Sequence, residues 1–167
     1  MAEMATRGAT LEALESLYGA GLPRFVRAAA AIAGDEAAGR DAVQEAFVQA
    51  VRKRESFKLE APLEAWVWRI VINEALALRR RRASELEWEP ENATNPSTNG
   101  VPEHDATVRS WVASLPERQR LAVFLRYFAD LDYRSIATAL EVEIGTVSAT
   151  LATAHAALRR SYQEAVR

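Results

Sequence analysis

The sequence predicts an all-α protein: two small helical domains joined by a flexible acidic linker, the second a four-helix domain with a helix-turn-helix. Three observations lead there. Apolar residues recur at helical spacing on both sides of residues 84–105, and no segment alternates as a strand would. Between Ala83 and Asp105 stand six carboxylates (Glu85, Glu87, Glu89, Glu91, Glu103, Asp105) and no Lys or Arg. Leu115 to Arg160 scans as short helices about a tight turn, the unit that pushes a helix into a DNA major groove. The domains are accordingly placed at 1–83 and 106–167, with the linker at 84–105.

In the first domain, Leu11, Leu14, Leu17 and Tyr18 define a helix face. Pro23 suits the first turn of a new helix with the face Phe25, Val26, Ala29 and Ile32, and Gly34 ends it. Asp41 can cap or lead the next helix, where Val43, Phe47, Ala50 and Val51 form the apolar stripe. Its other side shows Asp41, Gln44, Glu45 and Arg52. A loop from Ser56 to Pro62 leads into a helix around Trp66 that is apolar nearly all round (Val67, Ile70, Val71, Ile72, Leu76, Leu78), so most of it must be buried. One polar strip survives on it: Arg69, Asn73 and Arg80, followed by the run Arg79-Arg80-Arg81-Arg82.

The linker holds Pro90, Pro96, Pro102, Asn92, Asn95, Asn99 and Gly100 and almost nothing to bury, so packing cannot offset its ordering entropy. Beyond it, four helices are expected: Ala106–Ser114, Pro116–Phe128, Asp132–Leu140 with Asp132 as N-cap, and Ile144–Arg160. Ile136, Leu140, Val142 and Val147 have the spacing of a helix-turn-helix core, and Ala137 is the small residue where its two helices cross.

Bulk properties narrow the class. The 167 residues are 49% hydrophobic, enough for a core, and the abundant alanine favours helix. With no cysteine, disulfides and thiolate zinc sites are excluded, and no cofactor or metal is expected. His155, one of two histidines, has no second ligand near it in sequence. There is no apolar run long enough to span a membrane and no signal pattern, so a soluble, cytoplasmic protein is expected. The net charge is −2; without the six linker carboxylates the rest would carry +4. No phosphate-cradling glycine loop or nucleophile with its base is present, so no enzyme is expected.

These motifs together resemble a bacterial RNA polymerase sigma factor of the extracytoplasmic-function (ECF) class of the sigma-70 family. Asp41-Ala42-Val43-Gln44-Glu45-Ala46-Phe47 is similar to that family's polymerase-clamp helix, Phe57 to Arg82 to its promoter-melting and minus-ten segment, and Leu115 to Arg160 to its minus-thirty-five region. The resemblance implies that Asp41, Gln44 and Glu45 face the polymerase clamp. It implies that Trp66, Arg69, Asn73, Arg79 and Arg80 meet minus-ten DNA, where melted bases need stacking surfaces, an amide and phosphate-binding arginines. It further implies that Arg134, Thr146, Ser148, Ala149, Thr150 and Arg159 meet the minus-thirty-five element. The implied partners are core RNA polymerase and promoter DNA, with an anti-sigma factor as a further candidate; no membrane insertion is implied.

Two departures matter. Glu141 holds a turn position where the family often has glycine, and Ser148 and Thr150 replace the usual early Lys or Arg of the recognition helix. A helix-turn-helix regulator that binds duplex DNA without polymerase is the alternative, but it leaves Trp66 to Arg82 unexplained. A helical interaction module without DNA binding is the third reading. No further domain follows Arg167, so self-regulation within the chain is not expected.

Overall fold

The structure is a computed structural model that describes residues 8–88 and 103–166. Among the described residues there are seven α-helices, one 3-10 turn and no strand. They are α1 (Leu11–Ala33), α2 (Glu36–Lys53), α3 (Leu63–Trp88), α4 (Glu103–Ser114), α5 (Glu117–Tyr127), α6 (Tyr133–Leu140) and α7 (Ile144–Ala165), with the 3-10 turn at Arg54–Ser56 after α2.

Local chemistry sets the boundaries of α1 and α2. Thr10 caps α1 by accepting the Ala13 N–H at 3.1 Å, and Gly34 closes it at φ 113, its own N–H returned to the Ala30 carbonyl. That left-handed conformation is the reason for glycine there. Asp35 then caps α2, accepting the Ala38 N–H at 2.8 Å.

Two expectations for this half are corrected. Pro23 does not start a helix: it lies inside α1, whose core residues Leu14 and Phe25 lie on either side of it and share one core. Proline removes one intrahelical bond, and burial of both flanking stretches outweighs that loss. Asp41 does not lead α2 either. The helix begins at Glu36, one turn earlier, because Asp35 offers the cap.

Around α3 the core is densest. Phe25 meets Trp68 with ring centroids 4.4 Å apart and Phe47 at 5.3 Å, so α1, α2 and α3 converge on one aromatic cluster. Helices α1 and α2 touch backbone to backbone at Gly39, where an added Cβ would lie 2.4 Å from the Ala30 nitrogen.

In the second half, Leu121 to Leu125 of α5 are buried throughout, with Ile136 of α6 and Val147, Leu151 and Ala154 of α7. Asp132 caps α6, accepting the Ser135 N–H at 2.7 Å. Glu141 ends it in the left-handed region at φ 55, its N–H donated back to the α6 carbonyls. The helix-turn-helix is therefore α6, Glu141–Glu143 and α7.

The expected linker is also narrower than charge and composition implied. Helix α3 continues through residues 84–88 to Trp88, and α4 begins at Glu103, so both ends of 84–105 are helical. Ala83 to Trp88 contain neither glycine nor proline, so nothing in their sequence interrupts the helix. Residues 89–102, where linker flexibility was expected, lie outside the described residues. Helix α6 packs directly on α3, and apolar side chains of both halves form one continuous cluster.

Because the Gly39 site is bounded by backbone, Gly39→Ala is expected to push α1 and α2 apart and lower the unfolding free energy by about 1–3 kcal/mol. A shift of the urea midpoint to lower concentration checks this; an unchanged midpoint would show that the helices have slack there.

Candidate nucleic-acid and partner surfaces

Helix α2 separates its two faces cleanly. Ala42, Val43, Ala46 and Phe47 are buried, while Asp41, Gln44 and Glu45 are exposed on the opposite side with Val48 beside them. Neither Asp41 nor Glu45 has an ion-pair partner among the described residues. Their charge is left to solvent or to another molecule. An amide and two carboxylates on a rigid helix suit a basic helical partner.

Helix α3 presents the second surface. Asn73 and Arg80 are exposed, and Arg69 and Arg79 are about one-third exposed. Trp66 is placed differently from its expected role: at 8% exposure it is core, its ring 5.5 Å from Phe57, which folds over it from the preceding loop. It offers no open stacking face in this conformation. Trp68 is wholly buried, and its indole N–H has no hydrogen-bond partner among the described residues.

The arginines are not equally available. Arg69 donates to Glu141 at 3.2 Å, Arg79 pairs with Glu117, and Arg82 pairs with Asp35 at 2.5 Å. Arg80 and Arg81 are exposed and make no ion pair among the described residues. The carboxyl of Asp35 is held below its ordinary value of 3.8, first by the Ala38 N–H and then by the Arg82 guanidinium. Sequence reasoning passed over Glu117, Glu141 and Asp35 as partners. Only Glu141 carried a signal, as an acid where glycine is usual.

The third surface is the helix-turn-helix. Thr146, Ser148 and Ala149 are exposed at the start of α7, Thr150 is half-buried, and Arg134 and Arg159 are exposed. Thr146 and Thr150 also line a small pocket shared with Asn73, Ile72 and Leu76 of α3. Residues expected at two different DNA elements thus stand on opposite walls of one cleft. His155 is occupied by the Tyr127 hydroxyl at 2.8 Å. No group of three or more metal-ligating side chains occurs among the described residues, and no described helix is long and apolar enough to cross a membrane.

Comparison with known proteins covers both halves. Residues 17–85 match Sigma-70 region 2, and residues 106–158 match Sigma-70, region 4. The chain is 31% identical over 149 residues to the RNA polymerase sigma-H factor of Pseudomonas aeruginosa, covering 80% of this chain and 77% of that one. It is 30% identical over 143 residues to the ECF RNA polymerase sigma-E factor of Escherichia coli K12, covering 76% and 75%. Two solved structures share the fold. One is the sigma factor RpoE with the anti-sigma factor NepR from Bartonella quintana (TM-score 0.71, 22% identity, 92% of this chain and 98% of that one). The other is CnrH with the cytosolic domain of CnrY (TM-score 0.70, 24% identity, 93% and 91%).

The cap at the head of α6 yields a pH-dependent expectation. The Asp132 carboxyl is held below 3.8, chiefly by the Ser135 N–H. A folded-state pKa below the unfolded one gives stability that is present above the unfolded value and lost as pH falls through the folded value. Asp132→Ala is expected to cost about 1 kcal/mol at neutral pH. Urea titrations should show the gap from the parent chain closing in strong acid. A gap that persists there would assign the cost to something other than the ionised cap.

Proposed function

The chain belongs to the sigma-70 family as an ECF RNA polymerase sigma factor, and from that premise we propose how its surfaces divide the work. As a sigma factor it binds core RNA polymerase and directs promoter-specific initiation of transcription. Asp41, Gln44 and Glu45 dock on a basic helical surface of the polymerase clamp. Arg69, Asn73, Arg79 and Arg80 engage the minus-ten element: the amide of Asn73 reads an unpaired base edge and the guanidiniums hold phosphates. Trp66 supports this strip from beneath. Arg134, Thr146, Ser148, Ala149, Thr150 and Arg159 engage the minus-thirty-five element. In this scheme 1–83 and 106–167 act as the two functional units, with 84–105 as the connection whose ends are helical.

One observation supports the division best. The strip on α3 and the helix-turn-helix are two DNA-type surfaces carried on different helices of one chain, and the acidic face of α2, without an ion pair among the described residues, is a third surface of opposite charge. A regulator acting alone on duplex DNA would need only the helix-turn-helix. The role requires no bond chemistry from this chain, so we read it as non-enzymatic, and we place it in the cytoplasm with its polymerase. An anti-sigma protein is a proposed further partner, supported by the similar fold solved with the anti-sigma factor NepR.

Reconstitution tests the proposal. Core polymerase alone should give no specific transcript from the chain's promoters, identified by mapping transcript starts after overproduction, and adding the chain should restore it. Tight, specific binding of the isolated chain to duplex DNA, with no transcript when core enzyme is added, would favour the regulator instead.

Two finer outcomes are expected. Asn73→Ala should weaken open-complex formation by about 1–3 kcal/mol while leaving core-enzyme binding intact; permanganate reactivity of the melted strand and a core pull-down measure the two. Collapse of the variant into insoluble protein would instead make Asn73 structural. For the upstream element, residues 145–154 contain no Arg, Lys, Asn or Gln, so bidentate base contacts are scarce in that half of the recognition helix. Arg134→Ala or Arg159→Ala should therefore weaken all promoters alike, and single-base changes should have modest effects in an upstream-variant library. One indispensable G·C pair, rescued by a change at Ser148 or Thr150, would restore direct readout.

A further inference from the structure

We propose that His155, oriented by the Tyr127 hydroxyl, is a phosphate-contact residue at the rim of the minus-thirty-five site, and that protonation of its ring tightens promoter binding there. This rests on the assignment of α7 to that element made above, and adds to it a residue and a proton.

Length and position come first. Helix α7 has 22 residues, about 33 Å, whereas a major groove is about 12 Å wide. About eight residues from Ile144 onward cross that width. The N-terminal part of such a helix reads base edges, so the stretch past Leu151 stands at the level of the phosphates. His155 lies two turns beyond Ser148 and one turn before Arg159, and the three share one side of the helix. Ser148 and Arg159 are exposed, with His155 half-buried in the same row. Residues 145–154 contain no Arg, Lys, Asn or Gln, which makes His155 the first side chain of α7 able to carry positive charge.

The bond to Tyr127 fixes what the ring can offer. Tyr127 Oη and His155 Nε2 are 2.8 Å apart, with the ring centroids at 5.7 Å. Nδ1 makes no hydrogen bond to a described residue. A neutral imidazole and a phenol hold two polar protons between them, and their mutual bond consumes one. When the hydroxyl donates to Nε2, the outward donor is Nδ1–H. In the other tautomer Nε2–H donates to the hydroxyl oxygen, and the phenolic O–H is the outward donor. Either way the neutral pair offers one donor. A third proton changes this: Nε2–H donates to Tyr127, and both Nδ1–H and the phenolic O–H become available together with a positive charge. Phosphate oxygens accept such donors strongly and favour the charged ring, so DNA binding takes up a proton.

A brace between α5 and α7 is the plainer role, and the packing makes it redundant. Leu125 of α5 and Leu151 and Ala154 of α7 are fully buried, whereas Tyr127 is 60% exposed. A hydrogen bond so open to water adds little to a junction already closed by apolar contacts.

No carboxylate competes with phosphate for the ring. At this end α5 carries Arg126 beside Tyr127, α6 carries Arg134, and α7 itself places Arg159 one turn on. Tyr162, two turns on, is turned to Trp111 of α4, and α4 has no charged side chain among those described. Asp132 is engaged at the head of α6, and Glu117 and Glu141 are paired with arginines. Asp130 and Glu164 are the other acids at this end, and no ion pair joins either to His155.

Promoter binding by the reconstituted holoenzyme, followed by anisotropy of a labelled promoter fragment, tests the pair. The same fragment with a scrambled upstream element isolates what that element contributes. Between about pH 8 and about pH 6, the upstream contribution of the parent should rise roughly threefold to tenfold over that of His155→Gln, which keeps a donor but cannot take charge. His155→Arg carries a fixed charge and should show the acid value at both ends of the range, a gain that misfolding cannot imitate. Tyr127→Phe should lose part of the rise. Salt gives a second readout that a mere brace would not move. The slope of log affinity against log salt should be steeper by about one for the parent in acid than in alkali, and constant for His155→Gln.

Parent and His155→Gln curves that track each other across the range would overturn the proposal and leave the sigma-factor reading intact. So would a rise that survives scrambling of the upstream element. A Tyr127→Phe rise equal to the parent's would overturn the orienting role of the hydroxyl. No upstream-dependent complex at any pH would instead remove α7 from that element and take this inference with it.

Discussion

Helix α3 cannot exist as built unless it is covered on two sides, and much of the molecule follows from how that is met. Trp68 and Val67 are fully buried, with Phe25 and Phe47 closing over the aromatic cluster from α1 and α2. On another side α3 packs on α6, and Ile72 and Leu76 share a pocket with the first turns of α5. Burying side chains of this size is worth about 1.5–3 kcal/mol each, which makes these contacts far larger than any ion pair on the surface. What is left of α3 for chemistry is a narrow strip, and every polar residue proposed to meet DNA in this half lies on it or at its C-terminal end.

This constraint also explains the fate of the tryptophans. A stacking platform for a base must be open on one face, yet Trp66 carries Phe57 against it and Trp68 is enclosed. Their hydrophobic payload holds α3 rigid at the depth where Asn73 and the arginines emerge. A recognition strip gains more from a fixed scaffold than from one more mobile contact, because ordering costs are then met on folding and not on binding.

Most of the helix faces were legible in the sequence because periodicity reports burial: Val43, Phe47 and Ala50 lie on the buried side of α2, and Asp41, Gln44 and Glu45 on the open one. Val51, expected in the same stripe, and Leu11 and Tyr18 of α1 are instead exposed. Capping chemistry was equally readable, at Gly34 and at Asp132. Pro23 misled because a breaker is a local signal, and packing on both sides of it overrode the local preference. The linker ends misled for the opposite reason: charge and composition mark where a chain has little to bury, while residues 84–88 keep enough helix propensity to continue α3. The arginine partners were out of reach. Arg69 and Glu141 are 72 residues apart and Arg79 and Glu117 are 38 apart, and no local pattern encodes a contact at such separation.

Glu141 shows how one residue can be unfavourable locally and informative globally. A non-glycine residue in the left-handed region costs about 1–2 kcal/mol, and a partly exposed ion pair returns about 1 kcal/mol at most. The turn therefore gains little or nothing in net stability from glutamate, and a glycine would serve the helix-turn-helix at least as well. Stability alone does not account for a carboxylate at that point. What it adds is a carboxylate 3.2 Å from Arg69, a polar contact between the turn and α3. A residue nearly neutral for folding can still fix which group an arginine meets, and at Arg69 that group is the Glu141 carboxylate.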